Sequence, residues 1–148
     1  MRFARRHASG NRKKADLRES EMTDSVDCPF CGLLRDGLTC AVSKHAFAFK
    51  DAYPLSEGHL LVVPKVHEPD FLSLDPVTQQ EIFTLAIKLA NDLMSDPDIT
   101  GVNFGINAGA SAGQTVEHAH LHVIPRRDGD IEDPKGGIRW VLPEKANY

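Results

Sequence analysis

Three histidines alternate with small apolar residues in His118-Ala119-His120-Leu121-His122. Successive side chains on a strand point to opposite faces. The pattern therefore sends three imidazoles to one side, and Ala119, Leu121 and Val123 to the other. Each buried imidazole needs hydrogen-bond partners, so a row of three is a poor way to fill a core. Two chemistries suit such a row. Alternating histidines can ligate a catalytic metal, as in zinc hydrolases. Alternatively, one imidazole attacks phosphorus while its neighbours handle charge and protons. The flanks favour attack. Ala110-Ser111-Ala112-Gly113-Gln114-Thr115 offers flexible backbone, an amide and a hydroxyl where a phosphate would sit. The adjacent carboxylate, Glu117, points to the opposite face by the same alternation.

A second constellation is Cys28-Pro29-Phe30-Cys31. Two thiols at this spacing can share a tetrahedral zinc, but they supply only half of its ligands, and a pair of reduced thiols is the plain alternative. Cys40 has no evident partner and is expected to be a buried small apolar residue. Three cysteines leave one over from any complete disulfide framework, which favours a reducing compartment and a cytoplasmic location.

The elements that must position these groups can be read from periodicity and punctuation. Residues 38–42, 45–50, 59–64, 102–107 and 117–125 read as strands, with Pro64 closing the third. A short helical turn follows Cys31 and ends near Gly37. Asp75-Pro76 is an N-cap with proline at the first helical position. Beyond it Ile82, Leu85, Ala86, Leu89 and Leu93 keep to one helical face, and the helix ends before Pro97. Strands, one long helix and strands again, without βαβα alternation, predict an α+β fold. It would be a roughly five-stranded, mostly antiparallel sheet with one long and one short helix packed on one side.

The 148-residue chain has room for one domain, and its net charge of −4 conceals an asymmetry. Residues 1–18 carry +6 and the remainder −10. Residues 1–24 are expected to form a basic, disordered extension, too poor in apolar groups to fold alone. An Arg-rich organelle-targeting peptide or an arm for nucleic acid would share that composition, whereas a secretory signal would need an apolar stretch that is missing. No run approaches the roughly 20 apolar residues of a membrane span. The body shows no groove-reading or aromatic-interleaved basic motif, so nucleic acid is not an expected partner.

The stretch Gly113-Gln114-Thr115-Val116-Glu117-His118-Ala119-His120-Leu121-His122-Val123-Ile124-Pro125-Arg126 resembles the signature of the histidine-triad (HIT) family. Phe49-Lys50-Asp51 and Gly58-His59-Leu60-Leu61-Val62-Val63-Pro64-Lys65 resemble it too. The likeness places a domain over 25–127, with 128–148 as a C-terminal segment. It implies a nucleotide hydrolase or transferase in which His120 is the nucleophile and forms a covalent nucleotidyl-histidine. His122 would contact the phosphoryl oxygens. Gln114 and Thr115 would donate to phosphate or leaving group, and Asn107 would line the pocket. Asp51 matches the ribose-binding carboxylate, Phe49 and Leu61 the walls of the base pocket, and His59 a histidine near the site. By the same likeness Cys28, Cys31, His67 and His118 would ligate a structural zinc, and no organic cofactor is expected. The expected substrate is a dinucleoside polyphosphate such as diadenosine tetraphosphate. Alternatives are an adenosine phosphoramidate hydrolase and a non-catalytic nucleotide-binding module. Arg126 leans toward polyphosphates, since an arginine can meet extra phosphates. HIT proteins are commonly homodimers, so a homodimer is expected. Residues 138–142 would be a short strand or docking segment from which Arg139 or Trp140 approaches a nucleotide site.

Overall fold

Alternation of large and small apolar residues builds the sheet. In the computed structural model, which describes residues 25–146, five strands form one antiparallel sheet. They are β1 (Ala41–Val42), β2 (Ala46–Lys50), β3 (Leu60–Pro64), β4 (Gly101–Ile106) and β5 (Leu121–Arg126), in the order β1-β2-β3-β5-β4. The expected extension over 1–24 lies outside the described residues.

Each face of the sheet carries its own core. Ala46, Ala48, Leu60, Val62, Leu121 and Val123 face the long helix α2 (Pro76–Leu93), whose Ile82, Leu85, Ala86 and Leu89 close over them. Burial of each large apolar side chain in that seam contributes about 1.5–3 kcal/mol. Asp75 caps the helix by accepting from the backbone N–H groups of Val77 and Thr78, both at 3.0 Å. The opposite face holds Phe47, Phe49, Leu61 and Val63 against Phe30 and Cys31 of α1 (Pro29–Arg35). The two helices thus cover opposite faces rather than one. The small alanines of β2 make room for α2, and the phenylalanines between them meet the short α1.

The register puts the candidate groups in one row. Phe49 pairs with Leu61, Leu61 with His122, and His122 with Gly105. One expectation fails here. The final strand begins at Leu121, so of the three histidines only His122 is a strand residue. Pro64 ends β3 without an N–H to continue a ladder, and its carbonyl accepts from the His118 ring at 2.9 Å rather than from backbone. Ala119 N–H turns instead to the Glu68 carbonyl at 2.7 Å. The side-chain alternation survives the loss of the ladder, with Ala119 and Leu121 packed on the α2 side.

Three further expectations are corrected. The first strand shrinks to two residues. Residues 137–141 form a 3-10 turn, not a strand, begun by Gly136 at φ 89°. Cys40 is exposed rather than buried.

Candidate active site and metal centre

His118 is fully buried between two sets of partners. A carbonyl only accepts, so the contact with Pro64 fixes the His118 ring proton on Nε2. Nδ1 is left with its lone pair, facing Cys28 Sγ at 3.4 Å and Cys31 Sγ at 3.6 Å. His67 Nδ1 lies 3.6 Å from Cys31 Sγ, and the four donor atoms all fall within 4.8 Å of one another. Zinc bonds of about 2.3 Å to sulfur and 2.0–2.1 Å to nitrogen imply a tetrahedral S···N edge of about 3.6 Å. The donor set and its spacings fit a zinc ion, and the Pro64 carbonyl orients His118 as a ligand's outer partner should. α1 brings the two thiols here because its N-terminus starts at Pro29, immediately after Cys28.

His120 follows two residues on and is also buried. Its Nδ1 lies 2.7 Å from the His118 carbonyl oxygen. That oxygen again only accepts, so Nδ1 carries the proton and Nε2 keeps an unshared pair. Phe30 packs its ring edge-on against His120 at 5.4 Å and tilts against Phe49 at 5.0 Å. Phe30 went unremarked in the sequence, although it sits inside the Cys-X-X-Cys spacing that brings it there.

His122 is half-buried, with its ring 5.0 Å from that of His120. Burial, reinforced by the neighbouring His120 and His59, pushes its pKa down to about 4, so at neutral pH it is uncharged. His122 Nδ1 and His59 Nε2 are 3.0 Å apart. Asp51 turns Oδ1 to the Tyr53 N–H at 2.9 Å and holds Oδ2 3.4 Å from His59 Nδ1. Phe49, Leu61 and His122 lie in one row across β2, β3 and β5.

Other expected groups are placed differently. Gln114 spends both amide N–H groups within the protein: Nε2 donates to the carbonyls of Pro69 (2.7 Å) and Val116 (3.0 Å), and Oε1 accepts from Gly109 N–H (2.9 Å). Thr115 is exposed beside a hollow of about 360 Å³ lined by Cys28 and His67, on the flank of the thiol cluster. Asn107 is half-buried just past β4. Asp130 grips Arg126 through two bonds of 2.7 Å, and Asn103 takes a third at 2.9 Å, so this guanidinium is committed within the protein. Arg139 and Trp140 are tied to their own segment, bonding to the carbonyls of Lys145, Ala146 and Lys135. Trp140 does line, with Ile124 and Asn103, a hollow of about 490 Å³. Ile124 shares its strand face with His122.

Comparison with known proteins agrees with this fold. The HIT domain model matches residues 39–129. An uncharacterized HIT-like protein of Mycoplasma genitalium is 38% identical over 109 residues, covering 72% of this chain and 77% of that one. The asymmetrical bis(5'-nucleosyl)-tetraphosphatase of Schizosaccharomyces pombe is 34% identical over 91 residues, covering 62% of this chain and 50% of that one. Among solved structures, a HIT family protein of Bacillus anthracis aligns with a TM-score of 0.64 at 37% identity, covering 71% of this chain and 77% of that one. A Zn-bound histidine triad family protein of Mycobacterium smegmatis aligns with a TM-score of 0.66 at 29% identity, covering 79% and 91%.

Proposed function

The chain belongs to the HIT family, and from that premise we propose that it hydrolyses the α-phosphate linkage of an adenosine nucleotide through a covalent nucleotidyl-His120. The observation that carries the reading is the 2.7 Å contact from His120 Nδ1 to the His118 carbonyl, which leaves Nε2 as the free nucleophilic nitrogen. Nε2 attacks the α-phosphorus, and the bond from phosphorus to the leaving group breaks with its electron pair going to the leaving group. Water then attacks the same phosphorus, the P–N bond breaks, and His120 regains its starting form. Dividing the reaction this way replaces one difficult displacement with two easier ones. Phe49 and Leu61 would wall the base and Asp51 would accept from the ribose hydroxyls.

Our first choice of substrate is a dinucleoside polyphosphate such as diadenosine tetraphosphate, supported by the similarity to the fission-yeast tetraphosphatase. Cys28, Cys31, His67 and His118 would hold a structural zinc, which supplies a fixed anchor for residue 118 and takes no part in bond making. We further propose a homodimer. β4 is an edge strand, and Phe104 on it is 40% exposed on the same sheet face that carries α2. Phe83 and Ile87 on α2, with Met94 at its C-cap, add a second, exposed apolar stripe. Cysteines that form no disulfide among the described residues suit a reducing compartment, and we place the protein in the cytoplasm.

The test is a panel of diadenosine polyphosphates and adenosine phosphoramidates, with rapid quenching and mass spectrometry. A nucleotidyl adduct on His120 is expected. Turnover with the adduct on another residue, or with none in single-turnover conditions, would overturn the assignment.

A further inference from the structure

The second cluster, Asp51, His59 and His122, contains a buried histidine for which the proposed reaction has no step. His59 is only 2% exposed, so each of its ring nitrogens must find a partner inside the protein. The backbone N–H of Leu55 points at Nδ1 from 3.2 Å. An N–H can only donate, so it occupies the Nδ1 lone pair. Asp51 Oδ2, at 3.4 Å, is the longer contact and would need a proton on that same nitrogen. Burial favours the neutral ring, lowering the His59 pKa against the pull of Asp51. The one proton of that neutral ring is then on Nε2, directed at His122 Nδ1, 3.0 Å away. His122 Nδ1 must accept, and its own proton is confined to Nε2.

We propose that His59 is a positioning residue: it accepts from the Leu55 N–H, donates its own Nε2–H to His122 Nδ1, and so fixes His122 as a neutral Nε2–H donor for the phosphoryl group. The choice of tautomer on a ring is set by the bond its other nitrogen makes. Without His59, the half-buried His122 is free to place its proton on either nitrogen. In the wrong form it offers phosphate oxygens a lone pair instead of an N–H. The inference rests on the reading of this site as one for a phosphoryl group. It assigns to His59 no contact with the substrate.

The test joins kinetics to NMR of the ¹⁵N-labelled imidazoles in the full chain at pH 7. In the wild-type protein His122 is expected to be protonated at Nε2 and bare at Nδ1; the reverse assignment overturns the proposal whatever the variants do. His59→Gln retains one acceptor and one N–H donor, whereas His59→Leu has neither. With diadenosine tetraphosphate as the probe, His59→Leu should lose about 10- to 100-fold in kcat, a donor-sized effect, with KM moved less than about twofold. His59→Gln should recover most of that loss, and His122 should show mixed tautomers only in the leucine variant. Equal losses in both variants, or a pure Nε2–H His122 in a leucine variant that has lost turnover, would assign His59 a packing role only. If the wild-type protein turns over no nucleotide, the functional reading falls, and the wild-type NMR assignment still decides the tautomer.

Discussion

Two clusters flank His120, and both gather their ligand-type atoms within 4.8 Å. On one side stand Cys28, Cys31, His67 and His118, and on the other Asp51, His59 and His122. They differ in where the protons go. In the first, a backbone carbonyl draws the His118 ring proton away from the cluster, and Nδ1 turns a bare lone pair toward two sulfurs. In the second, a backbone N–H fills one nitrogen of His59, and the remaining proton lies between two rings 3.0 Å apart. The first cluster collects lone pairs and suits a cation. The second hands a proton outward and suits an anion. Similar residue types thus take opposite roles because one histidine leans on a C=O and the other on an N–H.

His120 belongs to neither cluster, and its replacement gives the largest expected effect. His120→Ala should reduce turnover by at least about 10³-fold with the fold intact by circular dichroism, as the proposed nucleophilic role requires. Near-normal activity in that variant would show that the free Nε2 is not the attacking group.

Next in size is loss of a thiol. Cys31→Ser should drop metal content to near zero by elemental analysis and lower Tm by several degrees, because metal binding to such a site is folding free energy. Some turnover should persist, since the bond that orients His120 comes from backbone and not from the metal. Metal content unchanged in this variant would erase the contrast between the clusters.

Acid should separate them further. His122 has a folded pKa of about 4, below the ordinary 6.5, so the unfolded chain binds more protons between those values. Stability from its neutral burial is complete above about pH 6.5 and declines as pH falls toward 4. Denaturant midpoints measured from pH 7.5 to 4.5 should fall in this window, and by less in His122→Gln. Equal slopes would show that His122 is not held neutral by the fold.

The smallest effect serves as a control. Asp75→Ala removes the α2 cap, whose carboxyl is held below its usual range by the Thr78 hydroxyl and backbone. It should cost about 1 kcal/mol in denaturant unfolding and leave metal content unchanged.

Much of this was legible in one dimension. The α2 face, its Asp75-Pro76 start and the antiparallel layout follow from local period and punctuation, which act over a few residues. The shared face of the three histidines was legible too, because a strand's alternation survives even where its ladder stops. Gln114 and Arg126 are spent within the protein for a common reason. Residue type announces capacity, but only the folded chain decides which partner consumes it. Gln114 is used up by Pro69, and Arg126 is gripped by Asp130 and Asn103.

The sequence by itself determined that three imidazoles would share one side of the chain and that two thiols, Cys28 and Cys31, would be spaced to share a metal. Only the tertiary structure decided which nitrogen of each ring carries a proton. That choice depends on the carbonyls of Pro64 and His118 and on the N–H of Leu55. Backbone groups are the same in every residue, so no spacing or composition can announce which of them will meet a ring. The fold does so by ending β3 at Pro64 and looping residues 51–58 back over His59.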